Sequence, residues 1–490
     1  MKVTLVGTND KAGGAARAMY RLHQALLAIG IQSRILCLNK SNYSSPKGEI
    51  SKFKNNFFSR KSYPFLQDLI NENRTPLSNT LFSYTDSISN LVNHPFIQDA
   101  DIVNLHWVSY FVSIKDIGKL LKLGKKIVWT LHDEWAYTGG CHYTSGCDGY
   151  LNDCKFCPQV NSNIAALPEL IHSEKTLNFS SEISLVSPSR WLAEKASQSS
   201  FFKGTTFRVI PNSIESDWFT NNNRSEARAQ FGYPEDCFLI GFGADSIGEK
   251  RKGFVYLLEA LKILSKNREW NDAYKSKKIA VLFFGNYSHR DAELDNYAQH
   301  IGSFSDDQTL ISIYKMLDLF LIPSLEDNLP NTLLESMASG TPVLGFPVGG
   351  LTEMITHNKN GFLTESISAE DLAKQILFLW QNNLLLMNVG AVASEFARSS
   401  FSMKKQANLY RDFFEMVLLK SNNRILDTNA KEQLKKRQRD LKLKFNLVYK
   451  KYIDSFTYRR RLLNLLLKND FLAKTFFFLN KRFHLFFRLS

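Results

Sequence analysis

Residues 323–350 read PSLEDNLPNTLLESMASGTPVLGFPVGG. The apolar run at 317–322 just before them reads as a buried parallel strand. The acidic loop after it leads to Pro330, whose missing N–H is tolerated at a first helical position. A helix is expected to follow and to end at Gly340. Its first residues, Asn331, Thr332 and Leu333, carry unpaired N–H groups at the positive end of the helix dipole, where a phosphate is favoured. Glu335 lies one turn further in, where its carboxylate can accept hydrogen bonds from two neighbouring hydroxyls, as on a ribose. This arrangement points to an α/β domain that binds a sugar nucleotide. A plainer reading leaves Asp327 as an N-cap and Glu335 as a solvated helix residue.

Working outward, further short apolar strands start at Phe238 and cover 279–284 and 341–345, so residues 212–395 form one α/β unit. It opens with GFGADSIGEKRKGFVYLLEAL, in which Lys250, Arg251 and Lys252 precede Gly253 and an amphipathic helix. A leaving diphosphate needs full cations, because a helix end contributes only about 0.3 to 1 kcal/mol per exposed charge. Lys252 is the expected phosphate ligand. Residues 1–211 form the other unit: a strand at 2–7, the turn Gly13-Gly14-Ala15-Ala16, a helix to Leu27, and strands at 101–105, 126–131 and 183–186. Gly13 and Gly14 either let the backbone approach a diphosphate or serve a plain strand-to-helix turn, since Gly-x-Gly-x-x-Gly is absent. His132 follows KKIVWTL and His106 follows DIVNL, so both emerge at carboxyl strand ends, where open sheets bind ligands. Residues 40–95, rich in Ser, Asn and Phe, either cover the acceptor face or form an insertion.

The 490 residues are 44% hydrophobic and 13% aromatic, which excludes general disorder. No run approaches 18 apolar residues, and the N-terminus leads into a glycine turn, so neither a membrane span nor secretion is expected. The charge of +14 sits at one end: residues 421–490 hold 18 Lys and Arg against 5 Asp and Glu. The body is therefore nearly neutral, and no nucleic-acid partner is expected for it. From Arg459 the tail reads RRRLLNLLLKNDFLAKTFFFLNKRFHLFFRLS, a pattern that suits a helix on an anionic membrane surface; the alternatives are a helical appendage packed on its own domain or a partner, and a nucleic-acid-binding tail. Four of six cysteines, Cys141, Cys147, Cys154 and Cys157, fall in one loop at 139–158. Structural zinc is expected there, with His142 able to replace one sulfur, and redox-active or merely buried thiols are the alternatives.

The stretch 323–350 resembles the Glu-x7-Glu region of retaining family 4 glycosyltransferases, which have the GT-B fold: two Rossmann-like domains around a deep cleft. Eight residues before Glu335 stands Asp327, so the first family acid is one methylene shorter here. The resemblance covers roughly residues 1–420. It implies that Glu335 holds the donor ribose, that Asp327 and the N–H groups of Asn331 and Thr332 meet the donor sugar and diphosphate, and that Lys252 binds phosphate. It also implies that His132 touches the donor sugar, and that a helix in 396–420 crosses back to the first domain. The family arginine near the strand end appears as Ala244, for which Lys250 or Arg251 is a candidate substitute. Cys-rich loops of this kind occur in a polysaccharide-synthesis subgroup. The expectation is a hexosyltransferase that needs no cofactor for catalysis, takes a nucleotide-sugar donor and a saccharide or lipid-linked saccharide acceptor, and works in the cytoplasm at the inner membrane face. A sugar-nucleotide epimerase of similar fold and a zinc-containing nucleic-acid-binding protein are the alternatives.

Overall fold

Apolar strand segments alternating with amphipathic helices build two parallel sheets in the computed structural model. It describes residues 1–41, 49–54, 57–85, 90–219, 224–246, 248–287, 292–420 and 428–467, with the side chains of 57–63, 428–430 and 456–467 left out of the description. The first sheet holds β1 (Lys2–Asn9), β2 (Gln32–Asn39), β3 (Ile50–Lys52), β4 (Ile102–Leu105), β5 (Lys126–Thr130), β6 (Ser184–Ser187) and β7 (Phe207–Val209). Their order is β3-β2-β1-β4-β5-β6-β7, with every pairing parallel. The second sheet holds β8 (Phe238–Ser246), β9 (Ile279–Asn286), β10 (Gln299–Gly302), β11 (Leu319–Ile322), β12 (Val343–Gly345) and β13 (Phe362–Leu363), in the order β10-β9-β8-β11-β12-β13, again all parallel. In each sheet the strand order reverses once, between β1 and β4 and between β8 and β11. Ligands of open α/β sheets bind at the carboxyl ends beside such a reversal.

Both faces of the first sheet are covered, which is why its strands read as nearly continuous apolar runs. Val103, Leu105, Ile127 and Trp129 face one core. Leu5, Ile35 and Val128 face another, closed by the helices Gly14–Ala28 and Met403–Leu419. The second helix is the return crossing: Ala407, Tyr410, Phe413, Phe414 and Val417 are buried against the first domain. The expected division at 395/396 falls inside the helix Asn383–Ser400, which packs on the second domain's helix Asn331–Ala338; the crossing helix itself is Met403–Leu419. The two places where the chain passes between domains are bonded to each other. Ile214 N–H donates to Phe401 C=O at 2.9 Å, and Gln406 bonds both Ser213 Oγ (2.7 Å) and Pro211 C=O (2.8 Å).

The last helix, Thr428–Leu467, corrects part of the membrane expectation. Leu441 and Phe445 are buried in the first domain's core, Phe445 edge-on to Tyr84. Arg437 binds Asp153 at 2.9 Å as well as Glu169, and Tyr452 OH donates to Glu72 at 3.1 Å. Between 431 and 455 the apolar stripe is thus spent on the protein itself. The side chains of 456–490, which carry most of the Leu and Phe clusters, lie outside the described residues. Among the described residues no single helix is long and apolar enough to cross a membrane.

Candidate functional site

At the end of β11 the chain makes the acidic loop and enters the helix Asn331–Ala338, with Pro330 as N-cap, so the helix begins one position later than the sequence suggested. Ser339 caps the other end and Gly340 follows at φ 79°. Two glycines bring neighbouring segments onto this loop. A Cβ on Gly253 (φ 70°) would stand 1.7 Å from Pro323 C=O, and one on Gly349 (φ 51°) would stand 1.9 Å from Asp327 C=O, so a side chain at either position would force the backbone apart. Gly253 thereby lets the turn Lys250–Lys252 pass beneath the strand end. Lys252 Nζ reaches Asp327 Oδ2 at 2.7 Å and Arg251 Nη1 reaches the same oxygen at 3.1 Å. Burial alone raises the Asp327 pKa, but the two cations outweigh it and bring it down to about 2, so the group is a carboxylate. Asp327 is an anchor for cations, not an N-cap.

Arg251 is held on several sides: Nη1 also donates to Glu326 C=O (2.7 Å), Nε to Glu249 (3.0 Å), and the guanidinium lies 4.2 Å over the Tyr143 ring. Arg251 also lines the cavity between the two sheets, as Lys250 and Lys252 do. Lys250 is exposed at the cavity edge. Lys252 keeps further N–H donors beyond its bond to Asp327. The neighbouring acid, Glu326, serves a different purpose. It accepts from Ser145 N–H (3.1 Å), Thr144 Oγ1 (3.4 Å) and Lys195 Nζ (3.4 Å), and so holds the Cys-rich loop against the second domain.

A cavity of about 1540 Å³ between the two sheets is lined by Gly13, Gly14, His132, Lys252, Asp327, Asn331, Thr332 and Glu335. Every catalytic and donor-binding residue expected from the sequence therefore meets in one space, large enough for a nucleotide sugar and part of an acceptor. The start of the Gly14–Ala28 helix and the start of the Asn331–Ala338 helix face each other across it, and Asn331 Nδ2 donates to Gly14 C=O at 2.8 Å. The 71–81 segment, left open by the sequence, forms part of the wall: Thr80 Oγ1 donates to Glu249 at 2.6 Å and Arg251 N–H to Asn79 C=O at 3.2 Å.

Glu335 is 3% exposed and already engaged. Its Oε1 accepts from Arg17 Nη1 (3.1 Å) and Arg21 Nη2 (3.2 Å), and its Oε2 from Tyr314 OH (3.3 Å). Sequence reasoning missed both arginines. The available signal was their i, i+4 spacing on the helix after Gly13-Gly14, which puts two cations on one face. The free lone pair at Oε2 is what remains for a ribose hydroxyl while the arginines hold Oε1.

His132 lines the cavity and its Nε2 lies 2.9 Å from His106 Nδ1, with the rings stacked. Burial pushes the His132 pKa down to about 4 against the opposing pull of Asp133, so the imidazole is neutral near pH 7. Asp133 is held by His142 Nδ1 (2.6 Å), Trp107 Nε1 (2.8 Å) and Trp135 N–H (2.9 Å). His142 also bonds Ser83 Oγ at 2.9 Å, and both ring nitrogens are thereby used. This corrects the expectation that His142 could replace a cysteine sulfur. Cys141, Cys147, Cys154 and Cys157 are free thiols, and burial raises the pKa of Cys154 to about 12 and of Cys157 to about 11, with neighbouring cysteines adding to the shift. Beside Cys141 and Cys154 lies Lys175, fully buried. Its ammonium bonds Thr138 C=O (2.8 Å) and Trp135 C=O and sits 4.0 Å over the Trp135 ring. Four sulfurs with a buried cation suit a thiolate-bound metal in donor chemistry, but among the described residues no group of three or more His, Cys, Asp or Glu is arranged to hold an ion.

Residues 225–396, the second domain, match the family model for Glycosyl transferases group 1. This chain is therefore similar to that family across its second lobe. Over 327 residues, 63% of this chain and 74% of the relative, the sequence is 25% identical to an Escherichia coli K12 protein with the provisional description colanic acid biosynthesis glycosyl transferase WcaC. It is 27% identical over 210 residues to the D-inositol 3-phosphate glycosyltransferase of Corynebacterium aurimucosum, of which it spans 47%. The Anabaena protein Alr3699/HepE, solved in complex with UDP-glucose, superposes with a TM-score of 0.58 at 14% identity, covering 85% of this chain and all of that one. The architecture is GT-B, and the matched region lies in its second lobe.

Proposed function

We propose that the protein is a retaining hexosyltransferase that moves a sugar from a nucleotide-sugar donor to a saccharide acceptor, lipid-linked, in surface polysaccharide synthesis on the cytoplasmic face of the cell membrane. The observation that carries this reading is the convergence of Lys252, the Asn331 and Thr332 N–H groups and Glu335 with Gly13, Gly14 and His132 on one cavity. HepE, a neighbour in fold, is a UDP-glucose complex, and WcaC is described for colanic acid, which supports the donor and pathway classes. In the proposed step the acceptor oxygen bonds to the anomeric carbon on the face from which the nucleotide leaves. The C–O bond to phosphate breaks with its electron pair going to the nucleoside diphosphate, and the acceptor proton passes to the departing phosphate oxygen. Lys252 and the helix-start amides stabilise the charge that grows there, so neither a protein nucleophile nor a divalent cation is needed. Asp327 holds Lys252 in place, and His132 contacts the donor sugar. The test is a binding screen of nucleotide sugars followed by transfer into a membrane lipid extract. Absence of binding by any of them defeats the reading, and sugar conversion without an acceptor points to an epimerase.

The same reading divides the chain into an acceptor lobe (1–211), a donor lobe (212–400), the return helix Met403–Leu419 and a tail (421–490), with Cys141, Cys147, Cys154 and Cys157 as a structural zinc site. The four sulfurs gathered in one loop support the zinc, and beside Cys141 and Cys154 lies Lys175, whose pKa burial lowers to about 7 against the opposing pull of Cys154, Cys141 and Asp133. Protein purified without chelator is expected to contain about one equivalent of zinc by elemental analysis; less than about a tenth removes the site. Membrane attachment is assigned to residues 456–490. Removing them, rather than everything after 420, spares Leu441 and Phe445 and should abolish sedimentation with anionic vesicles while leaving the melting temperature unchanged; retained sedimentation refutes the assignment.

A further inference from the structure

The polar groups behind His132 form an unbroken chain through the first sheet. Asn104 is fully buried on β4. Its amide nitrogen lies 3.1 Å from Val128 C=O and 3.0 Å from Thr130 Oγ1, and its amide oxygen lies 3.1 Å from His106 Nε2. A carbonyl can only accept, so the group facing Val128 has to be the NH₂ and the amide oxygen has to face His106. His106 Nε2 therefore carries a hydrogen. Burial holds the His106 pKa well below its ordinary value, so the ring is neutral and Nδ1 is a bare lone pair. His132 Nε2, 2.9 Å away, has to donate to it. His132 is neutral in turn, which leaves its Nδ1 without a proton, and no bond from a described residue reaches that atom. Behind Asn104 the chain continues from Thr130 Oγ1 to Tyr410 OH at 3.0 Å, on the return helix.

We infer that Asn104 and His106 are positioning residues that lock His132 as an Nε2–H tautomer, presenting Nδ1 as a hydrogen-bond acceptor selective for a ligand hydroxyl. A phosphate or carboxylate oxygen has no hydrogen to offer and is disfavoured against that lone pair, whereas a sugar hydroxyl satisfies it. The cavity thereby separates its duties: anionic oxygen goes to Lys252 and the helix starts, and a hydroxyl goes to His132. The inference deepens the reading of His132 as a donor-sugar contact, and rests on it only for the kinetic consequence.

The tautomer is read directly by long-range proton–nitrogen NMR of the full-length protein labelled with [15N]histidine, at pH 7 and with no ligand. The expected spectrum has His106 and His132 both as Nε2–H tautomers with Nδ1 in the unprotonated region, assigned with His106→Phe and His132→Phe. A protonated Nδ1 on His132 overturns the inference whatever the enzyme does with sugars. In the second arm His106→Phe, which keeps a ring but no acceptor, is expected to lower kcat/KM by about 10- to 100-fold, mostly in kcat, for the donor found in the screen. Affinity for the free nucleoside diphosphate should stay unchanged. If His106→Phe retains normal kcat/KM while the wild-type spectrum is as expected, the lock exists but does not position, and the positioning role is refuted. Absence of any sugar-nucleotide turnover in the wild type defeats the functional reading and leaves the NMR arm standing.

Discussion

Lys252→Ala is expected to lower kcat by about 10²- to 10³-fold, the usual loss when one donor aimed at a developing anion is removed from a water-poor site. The ammonium is one-fifth exposed, bonded to Asp327 on one side and open to the cavity on the other. The fold should tolerate its loss, because Asp327 keeps Arg251 at 3.1 Å and Ser324 Oγ at 3.2 Å. Arg251 lines the same cavity, but Glu249, the Glu326 carbonyl and the Tyr143 ring restrict its reach, so it is expected to replace Lys252 only in part. Steady-state kinetics beside a thermal melt decide the matter: near-normal turnover removes Lys252 from the mechanism, and a collapsed melt reassigns it to structure. Within the pair the sign of the pH effect is fixed. Asp327 has a folded pKa depressed to about 2, so its stabilising contribution is present above the ordinary carboxylate pKa and is lost as pH falls towards 2.

Glu335→Ala should act on both stability and binding. Arg21 is fully buried, and with Glu335 gone its remaining acid is Glu215 at 2.8 Å, on a side chain 22% exposed. Breaking a buried ion pair by removing one partner costs about 3 to 5 kcal/mol, and the surviving Glu215 places this case near the lower end. Donor affinity should fall about tenfold or more with the loss of a charged acceptor for ribose. Glu335→Gln separates the two effects, because it keeps the shape and an acceptor while cancelling the charge that the arginines need. Urea unfolding and nucleotide-sugar titration give both readouts. An alanine variant with unchanged unfolding and unchanged affinity would sink the assignment.

Local pattern carried much of this site and distance in sequence hid the rest. The strand, loop and helix around 317–338 were legible because each signal lay within a few residues of the next: an apolar run, an acidic turn, a proline, a glycine stop. β10 and β13 were not, since QHIG and FL are too short or too polar to set a period. Counting back from Glu335 selected Asp327, the acid bound by Lys252 and Arg251, but the count could not reveal that its neighbour Glu326 secures Thr144 and Ser145, the latter from 181 residues away. Arg17 and Arg21 were invisible for the same reason, their partner being more than 300 positions distant. The tail exposes a different limit. Leu441, Phe445 and Tyr452 form an amphipathic stripe, and a stripe records that some surface will cover it without naming which.

The two passages of the chain between lobes, bonded through Ile214, Phe401 and Gln406, have a mechanical consequence. Two separate tethers would let the lobes twist and slide; two tethers stitched side by side act as a single axle. Any relative rotation of the lobes would then be a swing about that axle, one that acts on the Arg17–Glu335 contact across the cavity.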